Sequence, residues 1–270
     1  MNILKNIREK SPLIHFITNY VTVNDVANST LAIGASPIMT DEILDVLDMQ
    51  TICNALVINI GTLNHNSVKS MIAAGKKANE LGHTVVLDPC GVGATPYRNE
   101  VINELLKEVK FDCIKGNISE IKALASVSSK TKGVDASEED KVTRNNLDEI
   151  FGFAKKLSKA TGAIIAITGA IDVIASTDTV YICTNGCKEM SKITGTGCMS
   201  AGIVAASLVA NSDDKLKAVT YAIALMGLAG EEALKFAKGT GSLHIGLIDM
   251  LSIISDKELE LGAKVEKFEI

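Results

Sequence analysis

Tryptophan is absent from the 270-residue sequence, aromatic residues make up only 4% of it, and there are just 4 prolines. With 21 glycines beside them, the glycine-plus-proline share is too low for a collagen-like or low-complexity chain. The core must therefore come from Ala, Ile, Leu and Val, and hydrophobic residues supply 47% of the sequence. That share can bury a sizeable core and excludes a disordered chain. Its aliphatic character suits buried parallel strands covered by helices.

No run of basic residues occurs, and the net charge is −5. A nucleic-acid binder carries a positive stripe that displaces counterions from phosphates, so no such partner is expected. Long apolar runs are missing too. Met199 to Ala210 and Ala218 to Ala229 are the longest, and both fall short of the ~20 residues that span a bilayer. Asp213, Asp214, Lys215 and Lys217 separate them. They read as buried core helices, with no membrane partner. The N-terminus alternates Lys5, Arg8, Glu9 and Lys10 with Ile3, Leu4 and Ile7, which reads as a short amphipathic helix and not a signal peptide. A cytoplasmic location is expected.

Six cysteines stand at positions 53, 90, 113, 183, 187 and 198. None forms the C-x2-C pairs of structural zinc, and Cys183 and Cys187 have no companion pair. Without a secretory signal, reduced thiols packed as small hydrophobes are expected. His15, His65, His83 and His244 also lack metal-ligand spacing, so hydrogen bonding is the default for each.

Short apolar runs do alternate with helical patterns. Ala55–Gly61 and Thr84–Asp88 read as strands, as do Phe111–Lys115 and Ala163–Thr168. Helical patterns cover Ser67–Leu81, Val101–Val109, Glu120–Ala125 and Leu147–Ala160. That alternation indicates βαβ units and a parallel sheet. The polar stretch Ser126–Asp140 reads as a surface loop. Asp172–Ser176 and Val180–Thr184 follow gaps too short for crossover helices, so they should pair antiparallel. The expectation is one α/β domain over residues 1–270, its sheet parallel first and antiparallel late.

In such sheets ligands bind beyond the carboxyl ends of the strands. The candidates there are Asn59, Gly61, Asp88, Lys115, Gly116, Asn117, Thr168 and Gly169. Asp88 is followed by a glycine-containing loop, Pro89-Cys-Gly-Val-Gly-Ala-Thr95. A strand-end carboxylate before glycines can hold hydrated Mg2+, or it can simply form a turn; spacing alone leaves both open. Ile193-Thr-Gly-Thr-Gly-Cys-Met-Ser-Ala-Gly202 opens an apolar helix. Glycines there let backbone N–H groups converge on an anion, and Cys198 falls in the first turn, where thiol pKa values drop. Tight helix packing would also use those glycines. No G-x-x-x-x-G-K-[S/T] occurs, and the Gly195/Gly197 pair lacks the third glycine or alanine of a dinucleotide fingerprint. An anion hole built from Gly195, Thr196, Gly197 and Cys198 remains.

Those segments carry a family resemblance. Pro12-Leu-Ile-His-Phe-Ile-Thr-Asn-Tyr-Val21, Leu31-Ala-Ile-Gly-Ala-Ser-Pro-Ile-Met39 and Val86-Leu-Asp-Pro-Cys-Gly-Val-Gly-Ala-Thr95 contribute to it. So do Lys115-Gly-Asn-Ile-Ser-Glu-Ile121, Lys132-Gly-Val-Asp135, Ile167-Thr-Gly-Ala170 and Thr194-Gly-Thr-Gly-Cys198. With them the chain resembles the ribokinase-like superfamily and, within it, the hydroxyethylthiazole kinases of thiamine biosynthesis. Most ribokinase relatives carry aspartate where this chain has Cys198, whereas the thiazole kinases carry cysteine.

The resemblance implies a three-layer αβα sandwich with a mostly parallel sheet. It implies transfer of the ATP γ-phosphoryl to the primary alcohol of 4-methyl-5-(2-hydroxyethyl)thiazole, with Mg2+ as cofactor. By motif position Asp88 and Glu120 are the Mg2+-associated carboxylates, and Lys115 and Thr168 contact ATP phosphates. Met39 and Gly195 belong to the thiazole site, Cys198 is the catalytic candidate, and a homotrimer is implied. Asn19 lies in the substrate-side motif without an assigned role. Lys115 replaces a common arginine, exchanging a bidentate fork for a point charge. Cys90 replaces an aliphatic residue and is expected only to pack. Hydroxymethylpyrimidine kinase and ATP-dependent repair of hydrated nicotinamide cofactor are the alternative activities of such a fold, and Cys198 in place of aspartate argues against both. A non-catalytic nucleotide or thiazole binder is the third reading, and the intact Asp88, Glu120 and glycine loop argue against it.

Overall fold

A computed structural model describes residues 2–127 and 141–269. Its strands, in chain order, are β1 (Leu13–Ile17), β2 (Ser36–Met39), β3 (Ala55–Asn59), β4 (Thr84–Asp88), β5 (Cys113–Asn117), β6 (Ile164–Thr168), β7 (Asp172–Ala175), β8 (Thr179–Cys183) and β9 (Val265–Glu269). They join in one sheet of order β2-β1-β3-β4-β5-β6-β7-β8-β9. Pairing is parallel from β2 to β6 and antiparallel from β6 to β9.

Alternation along each buried strand separates two cores. Leu56, Ile58, Val85, Leu87, Ile165 and Ile167 face one layer of helices. That layer comprises α3 (Val46–Ile52), α4 (His65–Leu81), α5 (Pro96–Glu108), α6 (Ile118–Val127) and α7 (Leu147–Thr161). Ala55, Val57, Val86 and Ala166 point the other way. They meet α1 (Ile3–Lys10), α2 (Val23–Ala32), α8 (Thr196–Ala210), α9 (Lys215–Leu234), α10 (Thr240–Ile253) and α11 (Asp256–Gly262). The expected three-layer αβα sandwich is the architecture. Both faces of the sheet are covered, which is why its strands read as continuous apolar runs and not as alternating ones.

The two apolar stretches become α8 and α9, and α8 is buried nearly all round. Gly202 on α8 permits the close approach: a Cβ there would lie 2.8 Å from Thr30 Oγ1 and 3.1 Å from the Phe16 ring. Among the described residues no helix is long and apolar enough to cross a membrane. α5 starts earlier than its apolar pattern, because Thr95 caps it and Pro96 takes the first turn, where a missing N–H is harmless. Of the expected loop at Ser126–Asp140, Ser126 and Val127 instead finish α6. Residues 128–140 lie outside the described residues.

Candidate active site

The parallel strands all end at one edge of the sheet, and register decides which side chains meet there. Asn59 pairs with Asp88 across β3 and β4, and Asn117 with Thr168 across β5 and β6. Leu87 opposite Ile114 carries Lys115 to the neighbourhood of Asp88. Helix α8 contributes its first turn, with Gly195 at the N-cap in the left-handed region at φ 88°. A Cβ on Gly195 would also lie 2.8 Å from Thr22 Cγ2. Backbone and space both demand glycine there.

These elements enclose a cavity of about 370 Å³ lined by Asp88, Lys115, Glu120, Thr168, Gly195, Gly197 and Cys198. Thr196 lines an adjoining cavity of about 540 Å³, which shares Thr168 and Gly197 with the first. Met39 lines neither. It ends the edge strand β2, partly buried against the core on the side of the sheet that α2 covers.

Lys115 is the electrostatic centre. It is 2% exposed, and its Nζ donates to the Gly197 carbonyl at 2.7 Å. Asp88 is 4% exposed, and burial pushes its carboxyl up to about 7 despite the Lys115 charge and the Asn59 hydrogen bond. Asp172, on the wall of the larger cavity, is likewise pushed up to about 7 by burial, against its hydrogen bond from Gly169 and the pull of Lys115. One buried cation, Lys115, thus faces two buried acids, Asp88 and Asp172.

Cys198 behaves in the opposite way to those acids. A hydrogen bond from Cys90 drives its thiol well below the ordinary range, overcoming burial, and hydrogen bonds from Thr22 and Asn19 and the charge of Lys115 act in the same direction. Cys90, as the donor, is pushed up. Two residues beyond Asp88, the loop places it in the same cavity with its side chain on Cys198. All six cysteines are free.

Glu120 is held by two loops: Oε1 accepts from the Gly91 N–H and Oε2 from the Asn117 N–H, each at 2.9 Å. Arg98, which the sequence pattern did not single out, clamps the same rim. Its guanidinium donates to the carbonyls of Ile60 at 2.6 Å, Cys90 at 2.8 Å and Gly61 at 2.7 Å. Among the described residues no group of three or more His, Cys, Asp or Glu side chains could hold a metal alone. Asp88, buried and short of positive charge, with Glu120 in the same cavity, fits a cation held by one or two carboxylates. Phosphate and water complete such a shell, the usual mode for magnesium.

A profile of the hydroxyethylthiazole kinase family matches residues 4–257. The chain belongs to this family. It is 51% identical over 268 residues to hydroxyethylthiazole kinase of Clostridium acetobutylicum, covering 98% of each chain. The kinase of Clostridium beijerinckii is 50% identical, with 98% of this chain and 96% of the relative covered. Among solved structures, a hydroxyethylthiazole kinase protein from Pyrococcus horikoshii OT3 superposes with a TM-score of 0.89 at 36% identity, over 99% of this chain and 98% of the other. Pyridoxal kinase from Staphylococcus aureus in complex with AMP-PCP shares the fold alone, with a TM-score of 0.64 at 14% identity over 96% and 98% of the two chains.

Membership of this family makes the residues absent from the sequence reading instructive. The larger cavity is walled by Asn185, Gly186, Met190, Ile223, Met226 and Gly227, drawn from the segment after β8 and from α9. The α9 members carry only the signal of an apolar helix, which reads as core, and Asn185, Gly186 and Met190 fall in the irregular segment after β8. Met190 packs against Gly230 while also facing this cavity. None of the four histidines joins the site. His15 bonds Gln50 and the Thr40 carbonyl, His83 bonds Gln50, His65 packs on Tyr97, and His244 pairs with Asp25.

Proposed function

We propose that residues 1–270 act as one cytoplasmic ribokinase-like domain that transfers the γ-phosphoryl of ATP to the primary alcohol of 4-methyl-5-(2-hydroxyethyl)thiazole, in thiamine biosynthesis or salvage. The observation that carries this is Cys198. A cysteine, and not a carboxylate, occupies the first turn of α8 and shares a cavity with Asp88 and Lys115.

The larger cavity, with Met190, Ile223 and Met226 on its walls, suits the flat face of a nucleotide base. Thr168 and Gly197 border both cavities, so the terminal phosphates lie at their junction, where Lys115 and Thr168 contact them. Backbone N–H groups of Gly195 to Cys198 and the α8 dipole face that anion. Asp88 and Glu120, which share the cavity, would hold Mg2+ through carboxylate oxygens that keep free lone pairs, Glu120 being oriented by the Gly91 and Asn117 N–H groups. When bound, the cation neutralises charge on the phosphates and orients them. The thiazole alcohol occupies the smaller cavity with Gly195 on its wall. Cys198, held as a thiolate, accepts the hydroxyl proton as the oxygen attacks phosphorus. A loose transition state asks little of base strength, so placement of the sulfur matters more than its basicity.

A homotrimer belongs to the same reading. Val21 lines the smaller cavity and is 60% exposed, with Tyr20 beside it at 79%. A neighbouring copy would cover that apolar rim and bring an edge-strand Met39 to the thiazole. Light scattering tests the assembly, and a fully active monomer contradicts it. For the activity, ADP release is measured with ATP, Mg2+ and each of hydroxyethylthiazole, hydroxymethylpyrimidine and pyridoxal. Release with the thiazole and not with the others is expected, and no release with the thiazole refutes the assignment.

A further inference from the structure

Two buried asparagines, Asn19 at 4% exposure and Asn59 at 2%, lie between the strand ends and Cys198. An amide side chain has one accepting and one donating end, and a backbone N–H can only donate, so a backbone contact fixes which end is which. The Gly61 N–H donates to Asn59 Oδ1 at 2.8 Å, and the Thr22 N–H donates to Asn19 Oδ1 at 3.1 Å. Both orientations are therefore pinned from the main chain.

The four amide hydrogens can then be assigned. Asn59 Nδ2 gives one to Asp88 Oδ2 at 2.8 Å and one to Cys198 Sγ at 3.3 Å. Asn19 Nδ2 gives one to Asn59 Oδ1 at 3.0 Å and one to Cys198 Sγ at 3.3 Å. The sulfur thus receives two fixed N–H donors, an arrangement made for an acceptor. The same Asn59 amide ties the sulfur to the carboxylate of Asp88.

We propose that Asn59, backed by Asn19, is a positioning residue for phosphoryl transfer: the pair holds the Cys198 sulfur as an acceptor at a fixed place beside Asp88. This rests on the reading that Cys198 faces the substrate hydroxyl. In that step the hydroxyl proton passes to sulfur and the O–H bond breaks. The oxygen forms its bond to the γ-phosphorus, and the bond from that phosphorus to the β-γ bridging oxygen breaks, releasing ADP. A sulfur free to rotate would leave hydroxyl and phosphorus misaligned, and rate suffers more than binding when near-attack geometry is lost.

The test uses the full-length protein with Asn59→Leu and Asn19→Leu, which keep similar volume and remove the donors, and with Asn19→Ala in case the leucines do not fold. The groups that line the cavity with Cys198, namely Asp88, Cys90, Lys115 and Glu120, stay unchanged. Alkylation of Cys198 by iodoacetamide, mapped by peptide mass across pH, reads the thiolate without requiring any activity. Its midpoint should rise by about one pH unit on loss of one hydrogen bond to a charged group. Steady-state kinetics should show kcat lowered about tenfold or more with the thiazole KM changed less than about threefold. Folded variants with an unmoved alkylation midpoint overturn the proposal, and so do a raised KM at unchanged kcat or a shifted midpoint at unchanged kcat. A wild type that alkylates as expected yet phosphorylates no thiazole refutes the assigned function instead.

Discussion

Asp88→Asn should stabilise the unliganded protein at alkaline pH while abolishing phosphoryl transfer. The native carboxyl is 4% exposed, and burial lifts it from 3.8 to about 7. A raised acid keeps its proton in the folded state over a range where the unfolded chain has lost it. Stability therefore falls as pH climbs from about 4 to about 7 and levels off above that. The asparagine variant does not titrate there, and its side-chain oxygen can still accept the Asn59 N–H. From about pH 5 to about pH 8 its stability relative to the wild type should grow by about 3 kcal/mol, taking the shift from 3.8 to about 7 at face value. Urea unfolding in chelator-containing buffer at several pH values measures the gap. A gap that stays constant with pH would refute the idea that Asp88 carries a buried, under-compensated charge. A gain in stability joined to lost activity is the mark of a residue kept for function.

Lys115→Met should cost about 3–5 kcal/mol of stability at neutral pH, because it strands buried acids without their cation. Denaturant unfolding reads that loss, and iodoacetamide titration should show the Cys198 thiol moving up. Cys198→Ser replaces an acidic sulfur with a weakly acidic hydroxyl, so kcat should fall and the acid limb of its pH profile should change. An unchanged kcat and profile would make a proton-transfer role untenable. Gly202→Ala forces a Cβ to within 2.8 Å of Thr30 Oγ1. Thermal unfolding should show a loss of about 1–3 kcal/mol from overpacking, while the thiazole KM stays unchanged.

Strands β3 and β4 were legible because both faces are buried, which turns each into an unbroken apolar run closed by glycine or proline. β1 carries His15, β2 carries Pro37, and β9 alternates with charges at an exposed edge, so each gives a weaker pattern. At the site, Asp88, Lys115 and Thr168 could be found from one rule, that ligands meet strand ends. Cys198 could be found from the glycines before its helix. The parts of Asn19 and Asn59 could not, since they depend on which main-chain N–H meets each amide oxygen. The place of Cys90 was hidden for a similar reason, since only the β4–α5 loop brings it to the cavity that Cys198 lines from far along the chain. The walls of the larger cavity hid in the apolar helix α9, where site-facing and core-facing residues share one composition.

A crystal structure with hydroxyethylthiazole and a non-hydrolysable ATP analogue bound would test the assignment most directly. The predicted result puts the nucleotide base in the larger cavity and the γ-phosphate between Lys115 and the Gly195–Cys198 turn. The thiazole hydroxyl would then lie within hydrogen-bond distance of Cys198 Sγ and in line with phosphorus. A hydroxyl turned away from the sulfur, or a thiazole seated outside the cavity that Asp88, Lys115 and Cys198 share, would contradict it.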